Sequence, residues 1–275
     1  MMMVTRSFRQ KTLERLSSRF CRVLSTGTLT AAQWPRNALW VLAWLLLCSS
    51  LHGQVNCGAE IKILLSPEQT RAAISSFHAK RETEGRVLFY DTDELELLTR
   101  GVIVRLRQGA DHDITVKLRP TQVLGPSFDS RELRCEVDST GGEAQVTYSI
   151  QRKYSGEAAP QTGNEILALL SGVQRRLLGQ ALSSVNWNKV RRIADIRSRE
   201  WQAAVLPHFN KLKLELWEWP TGRILEISSR IRLDREKSAY GELQQLVKAR
   251  GLSLMTRQRP KTGIVLETLA STTSY

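Results

Sequence analysis

The chain has 275 residues, room for one large domain or two small ones, and its 41% hydrophobic and 24% charged residues are an ordinary globular composition. The net charge of +13 points to an anionic partner, although charge alone does not separate phosphate compounds, nucleic acid and a membrane surface.

The first 53 residues form a basic leader. Seven cations (Arg6, Arg9, Lys11, Arg15, Arg19, Arg22, Arg36) stand against Glu14, so this segment carries +6 and the rest of the chain +7. Residues 38–51 are an uncharged apolar run, short of the ~20 residues that a membrane span takes. With Ser49, Ser50 and Gly53 after it, the run fits the apolar core of a secretory signal. The protein is therefore expected to be exported, periplasmic or extracellular, or anchored to a membrane through residues 38–51. The long leader leaves a later start codon or an uncleaved anchor open, and a mitochondrial presequence is a weaker reading. Cleavage near Gly53 leaves Cys57 and Cys135, which allow one disulfide that their spacing does not demand. There is no paired CxxC, hence no zinc site, and the four histidines are scattered.

Beyond the leader, period-two alternation marks strands. Residues 59–65 place Glu60 and Lys62 on one face and Ile61, Ile63 and Leu65 on the other. Ser66-Pro67 then predicts a helix over 67–80. A strand at 87–90, a turn with a short helical piece at 91–99, and strands at 102–107 and 114–119 follow. The last two strands gather Arg105, Arg107, Lys117 and Arg119 on like faces, with a hairpin connection at 108–113. The strand at 131–137 sets Glu132, Arg134 and Glu136 on one face. Residues 138–160 read as loop and insertion around one polar strand at 145–150, and 164–182 as a single helix.

The second half repeats the pattern. A strand at 187–193 carries Lys189 and Arg191. Strands at 211–217 (Lys211, Lys213, Glu215) and 223–230 (Glu226, Ser228, Arg230) flank a turn at Pro220-Thr221-Gly222. A helix over 234–250 ends at Gly251 as a C-cap, and a basic tail holds Arg257, Arg259 and Lys261.

One charged strand face is usually just solvated. Five or more such faces, mixing Arg and Lys with Glu, suggest a closed barrel with aliphatic faces outward under helices and charged faces inward around water. Arg and Lys there would clamp phosphate oxygens, and carboxylates would hold a divalent cation bridging the same phosphates.

The stretches FYDTDELELLTRGVIVRLR, TVKLR and RELRCEVD resemble the CYTH domain of the triphosphate tunnel metalloenzymes, over roughly residues 60–261. Members of that family include inorganic triphosphatases, thiamine triphosphatases and class IV adenylate cyclases. The resemblance implies an α+β fold: an eight-stranded antiparallel β-barrel enclosing a tunnel, with flanking helices, over residues 58–265, followed by a tail at 266–275. It implies phosphate-binding roles for Lys62, Arg105, Arg107, Lys117, Arg119, Arg134, Arg191 and Lys261. It implies metal-ligand roles for Glu60, Glu136, Glu215 and Glu226, with Glu60 and Lys62 as catalytic residues and Mg2+ or Mn2+ as cofactor.

Two positions depart from the family pattern. The first strand of the family reads E-x-E-x-K, and here Gly58 takes the first acidic place; the last strand reads E-x-E, and here Ser228 takes the second. Both losses are acidic, while the cationic side is intact. The expected function is metal-dependent hydrolysis of an inorganic or organic triphosphate. The alternative is a non-catalytic polyphosphate-binding barrel of the cell envelope with a degenerate metal site. Nucleic-acid binding rests on charge alone, since Trp187, Trp201, Trp217 and Trp219 suit packing. Membrane contact is expected only through the leader, and a homodimer is left open.

Overall fold

The computed structural model describes residues 57–119, 131–203, 206–209 and 211–273. The leader and its apolar run lie outside the described residues, and so do the readings of signal, anchor and export attached to them. Nine strands close into a barrel: β1 (Cys57–Leu65), β2 (Lys80–Asp91), β3 (Val102–Gly109), β4 (Asp113–Leu118), β5 (Arg134–Thr140), β6 (Glu143–Lys153), β7 (Arg191–Gln202), β8 (Leu212–Trp219) and β9 (Gly222–Ile231). Around the ring the order is β1-β5-β6-β4-β3-β2-β7-β8-β9, and β9 pairs with β1. The expectation of eight antiparallel strands is corrected on both counts. An odd ring cannot alternate direction all the way round, so one seam must be parallel, and it is β1 against β5. The alternation in the sequence itself marks nine strand stretches; the count of eight came from the resemblance.

Several boundaries differ from expectation, three of them for reasons local to the chain. The helix after Ser66 is a 3-10 turn, Pro67–Gln69, continued by α1 (Thr70–Ser76). It stops where His78 takes φ 46°, and Lys80 already belongs to β2. After the short α2 (Glu96–Thr99), the helix expected over 164–182 is three pieces: α3 (Gly163–Leu169), α4 (Gly172–Leu178) and α5 (Gln180–Ser184). Ser171 starts α4 afresh, in a capping box with Gln174, and Gly179 turns the chain with φ 54°. The presumed insertion after residue 137 is a hairpin in which β5 turns into β6 through Gly141 and Gly142, both with positive φ.

Period-two alternation then sorts the side chains. The outward faces of β2, β3, β4 and β6 bury Leu88, Val104, Leu106, Ile114, Val116 and Ile150 against Ile166, Leu177 and Leu178 of α3 and α4. The outward faces of β1, β8 and β9 bury Ile61, Ile63, Leu212, Leu214, Leu225 and Ile227 under Ala73 of α1 and under Ala239, Leu243 and Val247 of α6 (Glu236–Ala249). Each fully buried aliphatic side chain contributes roughly 1.5–3 kcal/mol.

The interior is not polar throughout. Leu64, Val87, Phe89, Ile103, Ala194, Ile196, Trp217 and Ile224 form an apolar plug with Val265 and Leu266 of α7 (Lys261–Thr273). The segment expected as a tail from residue 266 therefore continues a helix that is part of the core. On the parallel seam, Cys57 and Cys135 face each other in register with Cα atoms 4.5 Å apart, and they form a disulfide.

Candidate functional site

Next to the apolar plug, the barrel encloses a chamber of about 620 Å³. Nine cations line it (Lys62, Arg105, Arg107, Lys117, Arg119, Arg134, Lys213, Arg230, Lys261) against five carboxylates (Glu60, Glu136, Asp138, Glu215, Glu226), a net of +4. The strand register explains the gathering. Residues spaced by two on β1, β3, β4, β5, β8 and β9 share the inward face, and the ring brings those faces together.

Seven of the eight expected phosphate-binding cations are in this lining. Arg191 is not. It is the first residue of β7, in register with Asp91, and its guanidinium pairs at the surface with Asp93, 2.5 Å away. The strand expected at 187–193 begins only at Arg191, so a neighbouring loop carboxylate captures this side chain.

The four expected metal ligands separate into two groups. Glu215 and Glu226 share the Lys261 ammonium at the start of α7; Glu226 lies 2.8 Å from it, and Glu215 is in direct contact. The Trp217 indole N–H donates to Glu215 at 2.7 Å, and the Ser198 hydroxyl donates to it at 3.1 Å. Burial opposes ionisation of Glu215, but Lys261 and Lys213 outweigh it and hold the carboxyl well below the usual range. These two carboxylates are already paired with lysine.

Glu60 and Glu136 instead gather with Asp138, a residue the sequence reading placed in a loop. Oxygens of the three lie within 4.8 Å of one another. Glu60 comes from β1, and Glu136 and Asp138 from β5, so the cluster straddles the parallel seam. Lys62 Nζ sits 2.8 Å from Glu60 and 2.5 Å from Asp138, and the Thr147 hydroxyl donates to Asp138 at 3.0 Å. Burial works against Glu60 and Asp138, yet Lys62 holds both below their ordinary values. Glu136 behaves oppositely: burial, then the charges of Glu60 and Asp138, push it up. Lys62 is held above its ordinary value by Glu60 and Asp138 against the cost of burial. Its two carboxylate neighbours thus favour its charged form.

Arg105 and Lys117, half-buried on adjacent strands, stand without a counter-charge. Among the described residues, neither Arg105 nor Lys117 has a carboxylate within ion-pair distance, and Arg105 Nε is buried without a hydrogen-bond partner. Burial, then Arg107, pushes Arg105 down to about 10. Burial, then Arg105 and Lys62, pushes Lys117 down to about 7. Arg119 reaches Asp138 only at 3.7 Å, and its Nε is also buried without a partner. Buried polar groups are normally satisfied, so donors left open toward a chamber mark a place for an acceptor.

The two departures from the family pattern also have places here. Gly58 stands in register with Glu136, and a Cβ there would meet nothing within 4 Å. Ser228 is buried between Lys62 and Lys213, its partners in register. Besides Asp138, sequence reasoning left Lys213 and Arg230 out of the site, although both stand in strands whose alternation it marked. Arg230 Nε pairs with Glu136 at 3.2 Å.

The barrel has a known counterpart. A solved structure from Hippeastrum, described as a candidate adenylyl cyclase with a dominant triphosphatase activity, superposes with a TM-score of 0.53 at 16% identity, covering 74% of this chain and 93% of that one. A candidate adenylate cyclase from Bacillus halodurans gives a TM-score of 0.49 at 16% identity, covering 74% of this chain and 95% of that one. At these identities the likeness concerns the fold. No family model matches the sequence, and no curated protein matches it either.

Proposed function

We propose that this chain is a CYTH-like barrel that binds a triphosphate or short polyphosphate, and that with a divalent metal it hydrolyses a phosphoanhydride bond of that ligand. The observation that carries this reading is the pair of half-buried, unpaired cations Arg105 and Lys117 beside a carboxylate cluster. A polyanion would supply acceptors to Arg105, Lys117 and Arg119 and relieve their mutual repulsion. The fold shared with a structure described as having triphosphatase activity supports the reading by analogy.

The residues fit a hard divalent cation such as Mg2+ or Mn2+. Glu60, Glu136 and Asp138 offer only oxygen ligands, and the raised Glu136 reports crowded negative charge that a cation would relieve. When bound, such an ion would neutralise phosphate charge and polarise the bond to be cleaved. Arg105, Lys117 and Arg119 would grip non-bridging oxygens and fix the chain, and Lys62 would hold Glu60 and Asp138 ionised. Water oxygen would form a bond to phosphorus as the bridging P–O bond breaks; the electron pair of the broken bond would leave with the departing phosphate, and the proton lost by the water would go to that phosphate or to solvent.

Glu60→Gln and Glu136→Gln are expected to abolish orthophosphate release from tripolyphosphate in manganese while leaving binding in place. Wild-type protein that releases no phosphate with magnesium or manganese, from neutral to alkaline pH, would remove the hydrolase half of the proposal. The second reading is a binding barrel without turnover. Gly58 and Ser228 favour it, as does the Lys62 ammonium seated between Glu60 and Asp138. It expects tight, metal-independent binding and no release. The Cys57–Cys135 disulfide supports an oxidising compartment, in keeping with an exported protein.

A further inference from the structure

We infer that Asp113 is a positioning residue for the chamber: through the Gln151 amide it aims the Arg134 guanidinium at the arriving anion. The inference rests on the anion-binding reading above. Asp113 opens β4 and is fully buried. It is not part of the chamber lining, whereas Thr115, Gln151 and Arg134 are.

An ionised carboxylate only accepts hydrogen bonds. Asp113 takes one from the Thr115 hydroxyl at 2.6 Å and one from Gln151 Nε2 at 2.9 Å. The Gln151 amide must therefore turn its NH2 end toward Asp113, and its oxygen points the other way. There it accepts from Arg134 Nη1 at 3.0 Å. The two ends of a glutamine amide are nearly the same shape, so the pocket alone does not choose between them. With the amide reversed, an NH2 group would face a guanidinium, which has no acceptor.

The relay crosses three neighbouring strands. Thr115 on β4 is in register with Gln151 on β6, and Arg134 on β5 is in register with Ser149, two residues from Gln151. Arg134 is exposed, and among the described residues no carboxylate lies within ion-pair distance of it. Its aim depends on Gln151, and the orientation of Gln151 depends on Asp113. The sequence gives no hint of this, because Asp113 reads as a hairpin residue.

The test is a double-mutant cycle read by calorimetric titration with tripolyphosphate. Asp113→Leu and Arg134→Gln should each weaken binding roughly five- to tenfold, and the double variant should bind no more weakly than Arg134→Gln alone. Asp113→Asn should stay within about twofold of wild type, since its oxygen still accepts from Gln151 and its NH2 can donate to Thr115. It removes the same charge as Asp113→Leu, so it separates aim from electrostatics. A merely structural Asp113 would lower the melting temperature and leave the two penalties multiplicative.

If the leucine variant does not fold, Asp113→Ala carries the same expectation, because a water in the vacated space donates or accepts equally and does not orient the amide. Binding unchanged in the leucine or alanine variant overturns the inference, as do multiplicative penalties or an asparagine variant as weak as leucine. Any of these leaves the anion-binding reading standing. Wild-type protein that binds no tripolyphosphate overturns both.

Discussion

Arg105 and Lys117 face one chamber from adjacent strands, with Arg105 in register with Thr115 and Lys117 with Ile103, and no carboxylate among the described residues pairs with either. Burial and like charge push both below their ordinary pKa values, to about 10 and about 7. A barrel does not hold two such cations for its own stability.

Lys117 should make anion binding proton-linked. Burial and the neighbouring cations push it from its ordinary value of 10.5 down to about 7, so the ligand-free protein should hold it largely neutral at pH 8. A bound polyphosphate restores the charge. Binding at pH 8 should therefore take up a proton, and at pH 6 it should take up none through this group. Titrations in two buffers of different ionisation heat would read this as a buffer-dependent enthalpy, absent in Lys117→Met. The unfolded chain holds the proton longer, so Lys117 should also make the ligand-free protein more stable as pH rises from about 7 toward 10.5.

Arg105→Met should trade function for stability. It removes a half-buried, unpaired cation and its repulsion of Arg107 and Lys117. The melting temperature of the ligand-free protein should rise by about 2–4 °C. Tripolyphosphate affinity should fall roughly ten- to hundredfold. A variant that melts earlier than wild type would mean Arg105 is satisfied by its surroundings.

Gly58→Glu should rebuild the metal site. The position is open and in register with Glu136, so the new carboxylate would join Glu60, Glu136 and Asp138. In chelator the added charge should lower the melting temperature. With manganese the order should reverse, and manganese affinity should rise about tenfold. An unchanged manganese titration would count against metal binding by the carboxylate cluster on the β1–β5 seam.

Reduction should strike that seam. The disulfide closes a loop with a sequence separation of 78 and ties together the two strands that carry all three clustered carboxylates. Cys57→Ser with Cys135→Ser, or treatment with a dithiol, should cost about 2–5 kcal/mol of stability in denaturant titrations. Manganese affinity should fall with it more than tripolyphosphate affinity does, because Arg105 and Lys117 lie on β3 and β4.

Much of the cationic wall was legible because Arg105, Arg107, Lys117 and Arg119 alternate with aliphatic residues, and burial of one strand face leaves no other phase. β7 was largely missed because its residues 195–200 (DIRSRE) carry charge on both faces: Asp195 and Arg197 form surface ion pairs with β2, while Ser198 and Glu200 turn inward. Without apolar contrast a strand has no readable period. Asp138 was lost because the run Ser139 to Gly142 reads as a turn, although only the glycines make it. The division of the carboxylates, Glu215 and Glu226 to Lys261 and Glu60 and Glu136 to Asp138, follows from ring closure and the docking of α7. Those are long-range facts that no local pattern encodes.

The most direct measurement is a calorimetric titration with tripolyphosphate in the presence of a metal chelator, on wild-type protein and on Arg105→Met/Lys117→Met. Saturable binding by the wild type, lost in a double variant that still melts cooperatively, is the predicted result. A wild type that gives no binding heat at any buffer ionisation enthalpy, or a double variant that binds as tightly as wild type, would contradict the assignment of this chamber to a polyphosphate.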